Sequence, residues 1–402
     1  MLLLSRLSLC SGHQPQKDYG KLFVLFQVPL SSTCQKFLLL IHTDFIMTVL
    51  SRLAVTTFRH SNGSLFRGLG RGGPPPGHIC RGLRQPRRAN RKGGMNLAPE
   101  LGLETPNEHN MGPGLLKSIL FAAGFCGTTF VGVSIWQYES LREKAEKNSW
   151  SRWANQQWNS LEGWQHKEGG FRQEINRLWN SLNEGQKVFW PICFLNAVVY
   201  GCWNNLSLRS TMFRYFCSNP AARAVCWPMF LSTFSHYAFF HFAINMYVLH
   251  SFSSGVTSSL GKEQFLGMYL CGGVISSLAS HAFKVASRCP GPSLGASGAI
   301  MALLGYFCTT HPNAQLGIVF LPGFTFSADT AIKSVMCLDA VGMALGWRMF
   351  DHAAHLGGAL FGVLYAYFGP RYIWPKSEPL MRQWHEVRTE LSEKIEGKPT
   401  KD

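Results

Sequence analysis

The stretch His352-Ala353-Ala354-His355-Leu356-Gly357-Gly358-Ala359-Leu360-Phe361-Gly362-Val363-Leu364-Tyr365-Ala366-Tyr367-Phe368-Gly369-Pro370 contains no Asp, Glu, Lys or Arg. About 20 apolar residues in helical form cross a bilayer core, so 352–370 is predicted to be a transmembrane helix. It has two histidines near its start and a Gly358-xxx-Gly362 face, and small residues four apart let helices approach closely in lipid. Reading outward from one charged residue to the next gives further stretches of this kind at 118–138, 188–208, 224–261, 264–283 and 289–328, and one at 334–347 broken by Asp339. One isolated span followed by six close together predicts an all-α, multi-pass membrane helical bundle in 1+6 order.

Composition agrees with that reading. Only 15% of the 402 residues are charged, and 13% are aromatic, including 29 Phe and 12 Trp, whereas soluble chains carry roughly 25% charge. Mean hydropathy is only +0.01, so polar segments dilute strongly apolar ones. The formal charge is +16, which raises nucleic-acid binding as a function class. Its distribution points elsewhere. Ten Arg and Lys lie between Phe45 and Pro99 with no acid among them, interleaved with Ser, Gly and Pro. Arg-rich, acid-free and N-terminal is the pattern of a mitochondrial transit peptide, and the aromatic interleaving of a nucleic-acid surface is missing. No nucleic-acid partner is expected.

The organisation follows. Residues 1–46 contain apolar runs together with Asp18 and Asp44, and Met47-Thr48-Val49-Leu50-Ser51-Arg52 reads as a presequence start. Segment 1–46 is therefore expected to be an alternative N-terminal extension and 47–113 a transit peptide with a matrix-facing, disordered basic arm. An extra transmembrane helix at 114–138, a Trp-rich polar linker at 139–187, a core at 188–370 and a polar tail at 371–402 complete the chain. The arm through Pro113 holds 14 basic residues against 5 acidic, and the loops with Arg209, Arg214, Arg223 and with Lys284, Arg288 have no acid. Basic loops stay on the side from which the chain is not exported, which puts the N-terminus in the matrix and the C-terminus in the intermembrane space. None of the 12 Cys pairs at CxxC spacing and most lie in apolar stretches, so they read as small core residues instead of a zinc site or disulfide framework.

The polar residues inside the core need a reason, because ionisable groups at membrane depth are costly and default to function. They are His236, His241 and Asn245 in the second core span, Ser297 within Gly295-Ala296-Ser297-Gly298 at the start of the fourth, and His355 near the start of the sixth. Spans two, four and six run the same way, so residues near their beginnings share one membrane face. Gly295 and Gly298 let a helix and a substrate backbone come close to Ser297, and a helix N-terminus offers free N–H groups to a developing anion. A serine nucleophile requires a base within hydrogen-bond reach, and His355 is placed to be that base. His241 and Asn245, four apart on one helix face, are candidates to bind the oxyanion together with the Ser297 N–H. His236, five before His241, falls off that face and is expected to pack a loop. Asp339 is the only acid well inside a core span, and it reads equally as a paired structural group or as an orienter of His355.

The combination GxSG, HxxxxHxxxN and AHxxGxxxG in a six-helix core resembles the rhomboid intramembrane serine proteases. The basic presequence and the additional first span resemble the mitochondrial members of that family, over about residues 115–390; the first hundred residues do not share the resemblance closely. The resemblance implies hydrolysis of a peptide bond in or near a transmembrane segment. Ser297 would form the acyl-enzyme, and His355 would act as base and then acid. It implies single-pass transmembrane proteins of the mitochondrial inner membrane as substrates, with effects on mitochondrial quality control and apoptosis, lipid as the surroundings and no cofactor. The chain departs from many secretory-pathway members in one respect: Trp203 is followed by Asn204, and no Trp-Arg pair occurs in the loop after the first core span.

Other chemistries fit less well. An aspartyl protease needs two facing carboxylates, and Asp339 has no intramembrane partner. A zinc protease of the HExxH kind lacks its motif. His236, His241, His352 and His355 could ligate haem or another metal, and a non-cutting adaptor that binds transmembrane helices is the remaining alternative. Nothing in the sequence sets an oligomeric state.

Overall fold

The computed structural model describes residues 111–158, 170–318 and 321–395; the expected extension and nearly all of the expected presequence lie outside them. The described chain is mostly helical. In order it forms α1 (Met111–Trp158), α2 (Phe171–Ser181), α3 (Glu184–Trp203), short α4 (Arg209–Tyr215) and α5 (Cys226–Leu231), and α6 (Phe239–Leu260). There follow α7 (Lys262–Ser287), α8 (Ser297–Thr310), strands β1 (Gln315–Ile318) and β2 (Leu321–Ser327), α9 (Ala328–Leu345), α10 (His352–Phe368) and α11 (Ser377–Ile395).

Local chemistry sets these ends. Asn183 caps α3 with a full capping box, accepting the Gln186 N–H while Gln186 accepts the Asn183 N–H. Gly261 turns the chain between α6 and α7 at φ +80°, and Gly346 ends α9 at φ +68°; glycine takes such angles without a Cβ clash. The Asp351 carboxylate caps α10 by accepting the Ala354 N–H at 3.0 Å.

Several elements differ from the sequence expectation. The stretch 224–261 is two helices, not one: α5 ends at Leu231, a 3-10 turn covers Ser232–Phe234, and α6 starts only at Phe239. The stretch 289–328 contains α8, with 14 residues, and a two-stranded sheet, so the all-α reading holds apart from this small sheet. The polar region after 138 continues α1 to Trp158, because Arg142–Glu146 and Glu143–Lys147 pair at i, i+4, and such pairs support an exposed helix. The tail beyond 371 folds largely into α11. The described thiols other than Cys289 are free.

Polarity is distributed as a bilayer would require. Trp190, Phe194, Leu195 and Val198 on α3 and Leu360, Leu364 and Tyr367 on α10 are exposed, whereas Asn196, Ser253, Ser276, Ser280, His281 and Asp339 are buried. Large apolar groups such as Tyr269, Phe265 and Leu249 fill the core beside these buried polar groups, while others cover the outside, an arrangement compatible with helices that associate in lipid through close packing and internal hydrogen bonds. By length and hydropathy, two described helices are able to cross a membrane, over Gly112–Lys147 and Lys262–Ser287, with α8 as a shorter apolar helix. The remaining apolar stretches fall short for visible reasons. His and Ser dilute α6, charged Asp329, Lys333 and Asp339 interrupt α9, and α10 has only 17 residues.

α8 lies at the centre, packed against α6, α7, α9 and α10. A Cβ on Gly358 would collide with the Gly298 carbonyl, one on Gly362 with the Ala302 carbonyl and one on Gly305 with the Ala359 carbonyl. The α8–α10 contact is thus backbone against backbone.

Candidate active site

Ser297 is the first residue of α8 and His355 lies in the first turn of α10. The close approach of these helices, at Gly298 and Gly358, brings the two side chains together: His355 Nε2 is 2.9 Å from Ser297 Oγ. At 1.5 Å rise per residue, the 14 residues of α8 span about 21 Å, against about 30 Å for a bilayer core.

The loop that delivers Ser297 is strapped on both sides. The Gly295 N–H donates to the Ser232 carbonyl at 2.9 Å, and the Ala296 N–H points at His236 Nε2 at 3.4 Å. Gly295 adopts φ +132°, and a Cβ there would lie 2.7 Å from Cε1 of His241, so position 295 needs glycine for both conformation and space. Ser297, as the first helical residue, has an N–H without an intrahelical acceptor.

The remaining expected residues lie around this pair. His241, on the first turn of α6, rests its ring against Gly295 and touches the His236 ring, with centroids 4.9 Å apart. His236 is fully buried in the loop before α6. Asn245 is buried one turn beyond His241, and its amide donates to the His241 carbonyl at 2.8 Å. One of its two N–H donors is therefore engaged within α6. The Ser297 pair, His241 and Gly295 come together; Asn245 is near them through its helix, with no direct contact to Ser297 among the described hydrogen bonds.

Asp339, on α9, is 4% exposed. Its Oδ1 accepts from His352 Nδ1 at 2.7 Å and lies 3.5 Å from His355 Nδ1, while Oδ2 is buried without a partner. One carboxylate thus faces two histidines of α10, so Asp339 is paired and also stands behind His355. His352, which the sequence reading weighed only as a metal ligand, is the residue it missed. Its signal was the i, i+3 spacing with His355, which puts both on one helix face. The space for that pairing is made by Gly342, where a Cβ would meet the His352 ring at 2.7 Å. Phe350 covers His355, with ring centroids 6.0 Å apart.

Among the described residues no group of three or more His, Cys, Asp or Glu side chains is arranged to hold a metal ion. His236 and His241 face each other, whereas His352 and His355 turn to Asp339.

Comparison with known proteins adds an independent line. A sequence profile of the rhomboid domain matches residues 223–372. The protein named "Presenilin-associated rhomboid-like protein, mitochondrial" from Bos taurus is 50% identical over 70% of this chain and 74% of its own length. The human protein of that name is 50% identical over 68% of this chain and 72% of its own. "Rhomboid protein 1, mitochondrial" of Saccharomyces cerevisiae is 33% identical over 46% of this chain and 53% of its own.

Proposed function

The chain belongs to the rhomboid family, and we propose that it is a serine endopeptidase of the mitochondrial inner membrane that cuts single-pass proteins in or near their transmembrane segments. The observation that carries this reading is the 2.9 Å contact between Ser297 Oγ and His355 Nε2 at the head of the short central helix. In the proposed reaction His355 Nε2 takes the hydroxyl proton as Ser297 Oγ attacks the scissile carbonyl. The oxyanion is held by the Ser297 N–H, with His241 and Asn245 at its edge, since donors aimed at developing charge act strongly in a dry site. Collapse breaks the C–N bond, and the departing amine takes its proton from His355. Water then attacks the acyl-enzyme with His355 again as base; the ester C–O bond breaks, the new carboxylic acid departs, and His355 returns the proton to Ser297 Oγ. Asp339, 3.5 Å from His355 Nδ1, orients the ring through the nitrogen that the chemistry does not use.

A helical substrate carbonyl is already hydrogen-bonded and shielded, so the substrates of this reading carry helix-weakening Gly, Pro or polar residues near the cut. Seven crossings in 1+6 order, with the N-terminus in the matrix, open the site toward the matrix. Pairings between α1 and α7 support the alternation of direction that this order requires: Ser118, early in α1, meets His281, late in α7, while Gln137, further along α1, meets Gln264 at the start of α7.

The test is cleavage of a reporter transmembrane segment by the purified full chain in lipid vesicles. Ser297→Ala and His355→Ala are expected to abolish cutting while the fold is retained. A fluorophosphonate probe should label the wild type at Ser297. Equal cutting by the variants would assign the activity to a contaminating protease and remove the support for the pair, and an unlabelled wild type that cuts no Gly-containing segment would replace this reading with that of a non-cutting adaptor.

A further inference from the structure

A polar cluster away from the reacting atoms ties together the two segments that deliver Ser297 and His355. Asp351 Oδ2 accepts from Ser280 Oγ at 2.5 Å and from the Ser293 hydroxyl, and lies 3.2 Å from Lys284 Nζ. Lys284 also donates to the Ser293 hydroxyl. The Lys284 and Asp351 side chains are 12% and 22% exposed. Ser293 in turn pairs with Ser218 through both backbone hydrogen bonds, at 2.8 and 2.9 Å. Ser218 Oγ meets His281 Nε2 at 2.8 Å, and His281 Nδ1 meets Ser118 Oγ of α1 at 2.8 Å.

The placement is symmetrical about the dyad. Ser293 stands four residues before Ser297, and Asp351 four residues before His355. Capping of α10 uses only Oδ1, through the Ala354 N–H, and a neutral Asn or Ser side chain caps a helix as well as Asp does. The negative charge and Oδ2 are surplus to that task; they go to Lys284, Ser280 and Ser293. A partly buried ion pair is also weak support for stability by itself, and its best-attested use is to fix a register. The register available here is the axial position of α10 relative to the Ser297 loop.

We propose that Asp351 is a positioning residue for the Ser297–His355 pair, acting with Lys284 and Ser293 as a strut that locks the sliding coordinate of α10 against the loop that carries the nucleophile. The inference rests on the serine protease reading and adds residues to it. Lys284 bridges the two halves of the strut, and His281 with Ser118 anchors its far end on the first helix.

The experiment uses the full chain in lipid vesicles with the reporter segment, and reads kcat and KM per active site titrated by fluorophosphonate. Asp351→Asn keeps an acceptor for the Ala354 N–H and removes the charge that holds Lys284. The strut predicts that its kcat falls on the order of 10-fold and its labelling rate falls in parallel, with KM unchanged; misplacement by about 1 Å is enough for a loss of up to about 100-fold. Asp351→Ala is expected to lose more. A role confined to capping or stability predicts a lower Tm but a wild-type kcat per titrated site in Asp351→Asn, and that result would overturn the proposal. Ser293→Ala caps no helix and removes one hydroxyl, so it reads the strut even if the Asp351 variants fail to fold; the same 10-fold direction is expected, and wild-type kcat there would count equally against it. A wild type that neither cuts nor labels would instead bring down the protease reading itself, which keeps the two failures apart.

Discussion

The backbone contact between α8 and α10 makes Gly358→Ala a demanding perturbation. A Cβ at 358 would overlap the Gly298 carbonyl oxygen and lie 3.1 Å from its carbon. Neither atom belongs to a side chain that could rotate away. The carbon contact alone would need only a few tenths of an ångström, but the overlap with the oxygen is deeper, and bringing it to an ordinary van der Waals separation requires α10 to back away from α8 by about 1 Å. Gly298 follows Ser297 directly and Gly358 lies one turn beyond His355, so the displacement reaches the dyad almost undiminished. It would open the 2.9 Å Ser297–His355 contact to about 4 Å, past the hydrogen-bonding range. We expect a fall in kcat of about 100-fold or more, the loss known for misplacements of that size. Overpacking should also lower stability by about 1–3 kcal/mol. The assay is reporter-segment cleavage in vesicles with parallel fluorophosphonate labelling and a thermal melt. Gly132→Ala and Gly201→Ala serve as controls, because a Cβ at either position meets nothing within 4 Å; both should cut as the wild type does. A Gly358→Ala protein with wild-type kcat would refute the argument that glycine at this crossing sets the distance between nucleophile and base.

Three further outcomes follow from the same geometry. His241→Ala removes the ring beside Gly295 and should lower kcat by about 100-fold with little change in KM, the pattern of a donor used only in the transition state; a pure KM effect would move His241 to substrate binding. Asp339→Asn should lower kcat at least about 10-fold, since an amide no longer offers a charged acceptor to His355 Nδ1, and the labelling rate of Ser297 should fall with it; unchanged labelling would make Asp339 a structural partner of His352 only. Asp351, in the loop before α10, gives a pH test. Burial pushes its carboxyl up, but the Lys284 charge and the hydrogen bonds from Ser280, Ser293 and the Ala354 N–H outweigh burial and hold it well below the carboxylate range. A carboxyl lowered in the folded state stabilises above its unfolded value near about 4 and loses that contribution as pH falls through the lowered value. The Tm difference between wild type and Asp351→Asn should therefore stay constant from about pH 8 to about pH 5 and shrink only below about pH 4; shrinkage near neutrality would show that the carboxylate is not held in this way.

The contact between Ser297 and His355 was legible in the sequence because both residues stand out against their surroundings. Ser297 and His355 lie in charge-free stretches where a polar group needs a reason, and the glycines beside them announce close packing. Element boundaries were less legible. Counting residues between charges cannot see that 224–261 breaks at Ser232–Ala238, where Ser and His side chains and the Trp203 indole, hydrogen-bonded to Ser235 Oγ at 2.8 Å, hold the chain in a turn. Nor can it separate the 14 residues of α8 from the sheet that follows, since both are apolar. Segment 139–158 misled in the opposite direction, for its charges read as a linker while their i, i+4 spacing builds helix. The role of His352 depended on Asp339, thirteen residues away on another helix, and only the fold brings that pair together.

Two kinds of restraint hold the proposed catalytic pair, and they act on different coordinates. Glycine contacts at Gly298, Gly358 and Gly362 fix how near α10 comes to α8, because nothing larger than a hydrogen can stand between the backbones. They do little to stop α10 sliding along its axis, since a row of small residues presents a smooth surface. Sliding is resisted by directional bonds, and these lie one turn upstream at Asp351, Ser293 and Lys284. A bundle in lipid gains no hydrophobic drive from holding its helices in register. Close packing for separation and a charged, hydrogen-bonded strut for register are the two means that such a bundle has, and this chain places both within a turn of the proposed catalytic pair. The reactive geometry is therefore a property of helix placement, which is why residues that never touch a substrate should change kcat as strongly as those that do.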